Sequence, residues 1–361
     1  MRRYWRRLAI VLAVLGSAHF YIWWRFVDAA RLPSPWFGIA TAAVAILTPC
    51  VPGAAILMRL LPRERALPIV KVAYVWFGTA VYLLPAAALS HVAVAFGADP
   101  RRAAAVAIAI AALTVIYGLV NARRGPIVRR VRVPLANLPA AADGYTIVQL
   151  TDVHIGPTLH EAFAANVVAR VNALSPDLIV LTGDLIDGHV GDLARHVEPF
   201  RELRAADGVF AVTGNHEYYW DAEAWVTHFS SLGFRYLRNA NVAIRDAFTL
   251  AGSDDNSAAE DIGRAVAGRD ATLPCVLLAH HPSSLPRAQA AGVDLQLSGH
   301  THGGQLLPLG WLARLFEPHV AGLARFGATW LYVSEGTGFW GPPMRVGTHC
   351  EIALITLTRT A

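Results

Sequence analysis

Four long apolar stretches near the amino terminus constrain the fold of this chain more than any other feature of its sequence. A helix crosses the hydrocarbon core of a bilayer with about 17–25 mostly apolar residues, and each stretch falls within that range. They cover residues 8–27, 36–58, 72–96 and 103–120. Only short basic or turn segments separate them. The sequence therefore predicts an all-α transmembrane domain of about four helices within residues 1–132, ending in a basic juxtamembrane segment.

The charge of the chain is divided between two unlike halves. Residues 1–132 carry 17 Lys and Arg against 3 Asp and Glu, whereas residues 133–361 carry 14 against 23. The overall net charge of +5 thus averages a basic anchor of +14 and an acidic domain of −9. The acidic half would repel a polyanion, so nucleic acid is not an expected partner. Membrane lipids are the expected partners of the basic half.

Basic residues also predict the orientation of the membrane spans. Thirteen cations flank one set of span ends and four flank the other. The larger set comprises Arg2, Arg3, Arg6, Arg7, Arg59, Arg63, Arg65, Lys71, Arg123, Arg124, Arg129, Arg130 and Arg132, and the smaller comprises Arg25, Arg31, Arg101 and Arg102. Because cytoplasmic flanks are enriched in Lys and Arg, we expect the amino terminus and everything after residue 120 to be cytoplasmic. No small-residue cleavage site follows the first stretch, which argues against a signal peptide.

Two histidines, His19 and His91, fall within the predicted spans. An ionisable side chain inside a membrane is a candidate for a haem or proton site. The alternative is an imidazole that hydrogen-bonds between helices or lies near the interface. We favour this alternative, since no span carries an acid in its interior.

From residue 145 onward the pattern changes to short apolar runs that each end in acids, histidines or glycines. The runs cover residues 145–150, 177–181, 208–212, 275–279 and 293–297. Such runs are typical of buried strands, and helical stretches at 160–173 and 190–206 lie between some of them. Alternating strands and helices predict an α/β domain over residues 133–361, with its reactive residues at the carboxyl ends of the strands.

The residues at these strand ends are carboxylates, imidazoles and one amide. They are Asp152, His154, Asp184, Asp187, Asn215, His216, His280, His300 and His302. Each pair by itself has an ordinary structural explanation, such as a helix cap or a turn. Such residues follow each of five successive predicted strands, and this repeated pattern favours a metal site. Oxygen and nitrogen donors of this kind suit Mn, Fe or Zn, and their number is sufficient for two ions.

These residues resemble the five sequence blocks of the calcineurin-like metallophosphoesterase superfamily over about residues 145–358. The run at 299–305, followed by 330–338, is similar to the bacterial, membrane-associated branch of that superfamily. The resemblance implies an α/β four-layer αββα sandwich with a dinuclear metal centre, in a protein of the bacterial inner membrane. Glu217 departs from the pattern, because many members carry Asp at this position.

The resemblance also implies a role for each residue. Asp152, His154 and His302 would hold the first metal, and Asn215, His280 and His300 the second. Asp184 would bridge both ions. His216 would act on the leaving group as a catalytic residue, and Asp187 would orient it and keep it charged.

The expected reaction is attack of a metal-activated hydroxide on a phosphomonoester, phosphodiester or pyrophosphate, without a covalent enzyme intermediate. A lipid-linked phosphoester is the favoured substrate because the domain is tethered beside the bilayer. A soluble nucleotide or a phosphoprotein is an alternative substrate. A different class of function is a membrane sensor or transport-associated protein whose phosphoesterase-like domain binds without turnover. The sequence does not specify the metals, the substrate or the oligomeric state.

Three further features have two interpretations each. Asp254 and Asp255 border the site or form a turn. Residues 218–220 contact the substrate or pack internally. The stretch 306–326 is an interfacial amphipathic element or an ordinary lid or core segment.

Overall fold

The computed structural model describes residues 2–61, 63–317 and 319–360, so that Pro318, within the stretch 306–326, lies outside the described residues. The chain forms two compact units. One consists of Met1–Arg123 with Gly341–Val346, and the other of Arg124–Trp340 with Gly347–Ala361. We call the first the helical unit and the second, after the activity that the sequence predicts for it, the catalytic unit.

The helical unit contains four long helices, as predicted. They are α1 (Arg2–Trp23), α2 (Trp36–Leu60), α3 (Arg63–Ala95) and α4 (Pro100–Arg123). A π-helical turn, Trp24–Asp28, extends α1. Each of the four has a segment long and apolar enough to cross a membrane. Helix α3 begins nine residues before the predicted span because residues 63–71 continue the helical repeat, with Ala66 and Val70 buried.

Both histidines of the helical unit are hydrogen-bonded between helices, in agreement with the favoured interpretation. His19 is buried, its Nδ1 lies 2.8 Å from the carbonyl oxygen of Leu15, and the indole of Trp76 donates to its Nε2 at 3.0 Å. His91 Nδ1 lies 3.2 Å from the hydroxyl of Tyr21.

The short segment Gly341–Val346 packs within the helical unit against glycines. The amide of Arg345 donates to the carbonyl of Gly118 at 3.0 Å, and Asn121 donates to the Arg345 carbonyl at 2.9 Å. A Cβ added at Gly78 would lie 2.7 Å from the sulfur of Met344, and one at Gly118 would lie 2.7 Å from Val346. Glycine is therefore required at both positions for this close approach.

Two six-stranded sheets form the catalytic unit. The first has the order β1-β12-β2-β3-β4-β5, and the second has the order β10-β11-β9-β8-β7-β6. The strands of the first sheet are β1 (Ile127–Leu135), β2 (Thr146–Leu150), β3 (Leu178–Thr182), β4 (Val209–Val212), β5 (Arg235–Tyr236) and β12 (Glu351–Arg359). Those of the second are β6 (Ala240–Ile244), β7 (Phe248–Gly252), β8 (Cys275–Leu278), β9 (Leu295–Ser298), β10 (Gly322–Phe326) and β11 (Thr329–Val333).

The inner faces of the two sheets share one apolar core. Ile147 and Val180 of the first sheet and Leu250 and Leu297 of the second belong to the same buried cluster. Such alternating inward residues hold two sheets face to face. All five predicted strands are present, and β2, β3 and β4 pair in parallel, as do β7, β8 and β9. Their carboxyl ends therefore meet at one edge of each sheet.

Helices cover the outer faces. They are α5 (Glu161–Asn172), α6 (Val190–Val197), α7 (Asn215–Tyr219), α8 (Ala222–Ser231), α9 (Ile262–Ala265) and α10 (Leu285–Ala290). Residues of α9 and α10 share a buried cluster with Cys275 and Leu277 of the second sheet. Helix α5 connects the parallel strands β2 and β3, so it lies on the face opposite the core. The result is the predicted four-layer αββα sandwich. The predicted helix 190–206 ends at Val197 and continues only as a 3₁₀ turn, Glu198–Glu202, because Pro199 has no amide hydrogen.

Candidate metal centre

The predicted site residues lie in the loops that follow the strands. Asp152 and His154 follow β2, Asp184 and Asp187 follow β3, and Asn215 and His216 begin α7 after β4. His280 follows β8, and His300 and His302 follow β9. Seven of the nine are buried: Asp152, His154, Asp184, Asn215, His216, His280 and His302. Asp187 and His300 are half-buried. The fold thus brings together polar groups that are up to 150 positions apart in the chain.

The first cluster contains Asp152, His154 and His302. Ligand atoms of the three lie within 4.8 Å of one another. The Nε2 atoms of His154 and His302 are 3.1 Å apart, and His302 Nε2 is 3.4 Å from Asp152 Oδ1. The hydroxyl of Thr151 and the amide of His300 donate to the Asp152 carboxylate. Two imidazoles and one carboxylate that converge in this way could hold a divalent cation.

Asp184 connects this cluster to His280. Asp152, Asp184 and His280 have ligand atoms within 4.8 Å of one another. His280 Nδ1 lies 2.7 Å from the carbonyl of Thr182, so this nitrogen carries the proton and the lone pair of Nε2 points into the site. Nε2 is 3.2 Å from Asp184 Oδ2. In the neutral imidazole these are two electron-rich atoms, and a cation at this position would relieve their repulsion.

The pKa values of this pair move in opposite directions. Burial would raise the pKa of Asp184, but His280 outweighs burial and lowers it well below the usual value. Burial would lower the pKa of His280, and the charge of Asp184 raises it well above the usual value. Each group therefore stabilises the charged form of the other.

A histidine cluster surrounds His300 and includes a residue that the sequence pattern did not identify. Ligand atoms of His280, His281 and His300 lie within 4.8 Å of one another, and the rings of His281 and His300 are 3.8 Å apart. Burial, followed by the charges of His280 and His281, lowers the pKa of His300 to about 3. His300 is therefore neutral at physiological pH, as a metal ligand must be.

Asp255 supports this histidine cluster from outside. Its Oδ2 lies 3.1 Å from His281 Nε2, and its Oδ1 accepts the amide of Ser257 at 2.8 Å. Asp255 therefore both forms a turn and borders the site, which combines the two interpretations of the sequence. The His281-Pro282 step reads as an ordinary turn in the sequence, and only the contact with Asp255 reveals its place beside the site.

Asn215, a predicted ligand of the second metal, has a buried amide oxygen. The side chain is buried, and its Oδ1 has no hydrogen-bond partner among the described residues. A buried polar atom without a partner is costly. A metal ion would satisfy this oxygen, so the atom fits the predicted second metal site.

His216 and His154 share the carboxylate of Asp187. His216 Nδ1 is 2.5 Å from Asp187 Oδ1, and His154 Nδ1 is 3.3 Å from Asp187 Oδ2. Burial alone would lower the pKa of His216, but the hydrogen bond with Asp187 and the charge of Asp184 raise it to about 9. Asp187 thus contacts both the predicted catalytic histidine and a predicted metal ligand.

Glu217 is fully buried and ties two turns of the site together. Its carboxylate accepts hydrogen bonds from the amides of Asp184, Leu185 and Gly214, at 2.9, 2.8 and 2.7 Å. Burial and the charge of Asp184 raise the pKa of Glu217 to about 7. Glu217, which stands where many family members carry Asp, therefore holds the backbone of Asp184 through its carboxylate.

Several predicted ligands have a left-handed backbone. The φ angles are +50° for Asp152 and His154, +55° for Asp184, +70° for His300 and +52° for His302. Non-glycine residues rarely adopt this conformation, and it is concentrated at functional sites. The same turns need glycine at close approaches, since a Cβ at Gly214 would lie 2.3 Å from Asp184 Oδ1 and one at Gly299 would lie 2.2 Å from Asp152 Oδ2.

The donor set fits two divalent cations. It consists of carboxylates, imidazoles and one buried amide oxygen. The group of Asp152, Asp184 and His280 shares Asp152 with the first cluster and His280 with the histidine cluster. Such donors suit Mn, Fe or Zn.

Aromatic side chains and a cavity lie beside these groups. The exposed rings of Tyr219 and Trp340 are 5.1 and 5.8 Å from the ring of His216. Residues 218–220 thus include one, Tyr219, that contacts the site. A cavity of about 490 Å³ adjoins Gly303, the residue after His302. Its polar lining includes Arg314, Glu317, His319 and Glu335.

The chain is similar to known phosphoesterases. The family model of the calcineurin-like phosphoesterases matches residues 145–304. A zebrafish (Danio rerio) protein named "Transmembrane protein with metallophosphoesterase domain" is 38% identical over 274 residues, covering 71% of this chain and 63% of the relative. An uncharacterized metallophosphoesterase of Campylobacter jejuni is 36% identical, covering 67% of this chain and 66% of the relative. An uncharacterized metallophosphoesterase of Aquifex aeolicus is 33% identical, covering 58% of this chain and 84% of the relative.

The matches differ in how much of each relative they span. The chain covers less than two thirds of the length of the zebrafish protein, but well over two thirds of the Aquifex protein. The family match contains every predicted site residue from Asp152 to His302.

Proposed function

This chain belongs to the calcineurin-like metallophosphoesterase family, and from that premise we propose that it is an integral membrane phosphohydrolase with two divalent metal ions. It cleaves a phosphomonoester, phosphodiester or pyrophosphate. The observation that carries the proposal is the position of Asp184, whose ligand atoms group with those of Asp152 and His280. A carboxylate between two sets of imidazoles is what a dinuclear centre requires.

Each ligand has a role in this proposal. Asp152, His154 and His302 would hold one ion, Asn215, His280 and His300 would hold the other, and Asp184 would be available to both. When bound, the two cations supply an activated water and neutralise charge on the phosphoryl group. Hydrogen bonds from the chain preset the ligands: Thr182 orients His280, and Thr151 holds Asp152.

His216 donates a proton to the leaving-group oxygen. Its raised pKa, about 9, keeps the imidazole protonated at neutral pH, as a general acid requires. Asp187 holds Nδ1 of His216, so that the opposite nitrogen, Nε2, is the donor. The rings of Tyr219 and Trp340 flank the His216 ring.

We propose that the four helices span a bacterial inner membrane and that the catalytic unit lies on its cytoplasmic side. The support is the distribution of cations, thirteen on one set of helix flanks against four on the other. Sealed right-side-out membrane vesicles that contain the intact protein test this orientation. A carboxyl-terminal tag must resist external protease until detergent is added. Cleavage of the tag in intact vesicles would reverse the orientation without affecting the proposed chemistry.

A lipid-linked phosphoester is the proposed substrate. Only residues 124–126 separate α4 from β1, so the tether between span and catalytic unit is short. The net charge of −9 over residues 133–361 disfavours a polyanion such as nucleic acid. A soluble nucleotide or a phosphoprotein is the competing substrate.

A phosphoester panel tests the proposal. Purified full-length protein is assayed with Mn, Zn and Fe on lipid-linked, nucleotide and chromogenic phosphoesters. We expect hydrolysis of at least one class, and losses of about 10²–10⁴-fold for His216→Ala, the range of a lost general acid, and at least as much for Asp184→Asn. Asp192→Asn is the matched control, since Asp192 is exposed in the first turn of α6.

Two outcomes contradict the proposal. Undiminished hydrolysis by Asp184→Asn or His216→Ala would exclude these roles. If the purified protein binds divalent ions but hydrolyses nothing with any of them, the sensor or transport-associated alternative replaces the enzyme.

A further inference from the structure

The large exposed apolar side chains of the catalytic unit are concentrated in one segment. Eight such side chains are exposed in the part of this unit that the structure describes. They are Ile127, Tyr219, Leu309, Trp311, Leu312, Leu315, Phe316 and Trp340. Five of the eight lie in residues 309–316, which we call the apolar segment. Scattered apolar residues are normal on a surface, whereas a contiguous patch indicates an interaction.

The apolar segment turns its large side chains away from its own unit. Residues Leu309–Leu315 form a 3₁₀ helix in which no residue is buried. Side chains three residues apart eclipse each other in a 3₁₀ helix, so Leu309, Leu312 and Leu315 form one row. Leu315 is 74% exposed and the following Phe316 is 82% exposed.

The small residues of the same helix face the protein. Gly310 and Ala313 form a second row, and both are only partly exposed. The backbone of Gly310 packs directly on Gly304, because a Cβ added at Gly310 would lie only 1.8 Å from the Gly304 carbonyl oxygen. The row of small residues, Gly310 and Ala313, therefore packs on the rest of the unit. The row of leucines cannot turn inward without breaking the contact between Gly310 and Gly304.

Trp311 and Arg314 form the third row. Tryptophan and arginine beside leucines are the composition of elements that lie in a membrane interface. The arginine provides a charge complementary to anionic headgroups. The chain also carries four apolar helices that can span a membrane, and only residues 124–126 connect the last of them to β1.

We propose that the apolar segment docks on the surface of the bilayer in which the helical unit is anchored. Leu309, Leu312, Leu315 and Phe316 enter the interface, and Arg314 contacts lipid phosphates. Trp311, Arg314 and the cavity beside Gly303 then lie at the level of the headgroups. The inference rests on the membrane-anchored part of the proposed function and does not depend on hydrolysis.

A fluorescent reporter in the full-length protein tests this docking. Cys275 and Cys350 are buried and Cys50 is partly exposed, so Cys50→Ser leaves no exposed cysteine among the described residues. In this background Leu312→Cys carries a nitrobenzoxadiazole label. The matched control carries the same label at Arg264→Cys, an exposed position on α9. Both proteins are reconstituted in vesicles of phosphatidylethanolamine and phosphatidylglycerol that contain a nitroxide-labelled lipid.

We expect nitroxide lipid to quench the label at position 312 at least about twofold more than the label at position 264. Leu309→Glu combined with Leu315→Glu should abolish the difference, because both residues flank the reporter in the leucine row. Leu309→Ile combined with Leu315→Ile should preserve it. The two labelled positions, 312 and 264, and the two substituted leucines, Leu309 and Leu315, are all exposed, so folding of the core does not depend on these side chains.

Equal quenching at positions 312 and 264 would overturn the inference. A second result would also overturn it: a blue shift in the emission of the label at position 312 that occurs only at high protein density, without quenching by the nitroxide lipid. That result would mean that a second copy of the protein, and not the bilayer, covers the apolar segment. The readout requires no turnover, so loss of the proposed phosphohydrolase activity would leave this test unaffected.

Discussion

Two histidines, one in each unit, differ in what satisfies their second ring nitrogen. Both His19 and His280 place Nδ1 near a backbone carbonyl, at 2.8 Å from Leu15 and at 2.7 Å from Thr182. Nε2 of His19 accepts a hydrogen bond from Trp76, whereas Nε2 of His280 has no hydrogen-bond partner among the described residues and faces Asp184 at 3.2 Å. Both ring nitrogens of the first imidazole have hydrogen-bond partners within the protein. The second requires a proton or a cation.

This difference separates a structural histidine from a candidate ligand by geometry. Burial does not separate them, because His19 is 3% exposed and His280 is 2% exposed. The discriminating quantity is the partner of the second nitrogen. A tryptophan N–H completes the hydrogen bonding of a side chain, and a carboxylate oxygen that approaches an imidazole lone pair leaves room for a positive charge.

The largest expected effect is at His280. His280→Ala should reduce phosphoester hydrolysis by about a thousandfold or more, because it removes a ligand of one ion and a partner of Asp184. Elemental analysis of the purified protein should show less than the two bound metals proposed for the wild type. Unchanged metal content with full activity would remove His280 from the ligand set.

Asp187→Asn is expected to have the next largest effect, about 10–100-fold on kcat. The Asp187 carboxylate raises the pKa of His216, so its loss lowers that pKa. His216 acts in its protonated form, and activity falls as pH rises through this pKa. The alkaline limb of the kcat–pH profile should therefore move to lower pH in the variant. A loss of activity without movement of this limb would mean that Asp187 acts only through His154.

His281→Ala should reduce activity about tenfold, because His281 contacts His300 and is held by Asp255 but is not a proposed ligand. Metal content should stay at the wild-type level. A loss as large as that of His280→Ala, with loss of metal, would make His281 a ligand and reassign the second site.

The smallest effect is expected at His19. His19→Leu leaves the indole N–H of Trp76 without its acceptor, which costs about 1 kcal/mol of stability. Hydrolysis should remain within about twofold of wild type. Adding Trp76→Phe removes the orphaned donor and should restore part of the lost thermal stability. Loss of activity at His19 comparable to that at His280 would contradict the comparison.

The family and the positions of the reactive residues could be predicted because they depend on local sequence. Each strand ends in a short polar motif, and parallel strands bring their carboxyl ends to one edge. Asp152, Asp184, His280 and His302 were therefore predictable as neighbours. Glu217 was visible only as a departure from a pattern. Its hydrogen bonds to three amides depend on the distance between two turns, which the sequence does not encode locally.

The sequence by itself determined a membrane-spanning half, an acidic α/β half and the residue types at the strand ends, since hydrophobic length, charge and periodicity are properties of continuous segments. Only the tertiary structure decided that Asp187 contacts both His154 and His216, that Asp255 holds His281, and that the leucines of residues 309–316 face outward. These contacts join separate segments, and their geometry depends on distances and directions that arise when the two sheets pack.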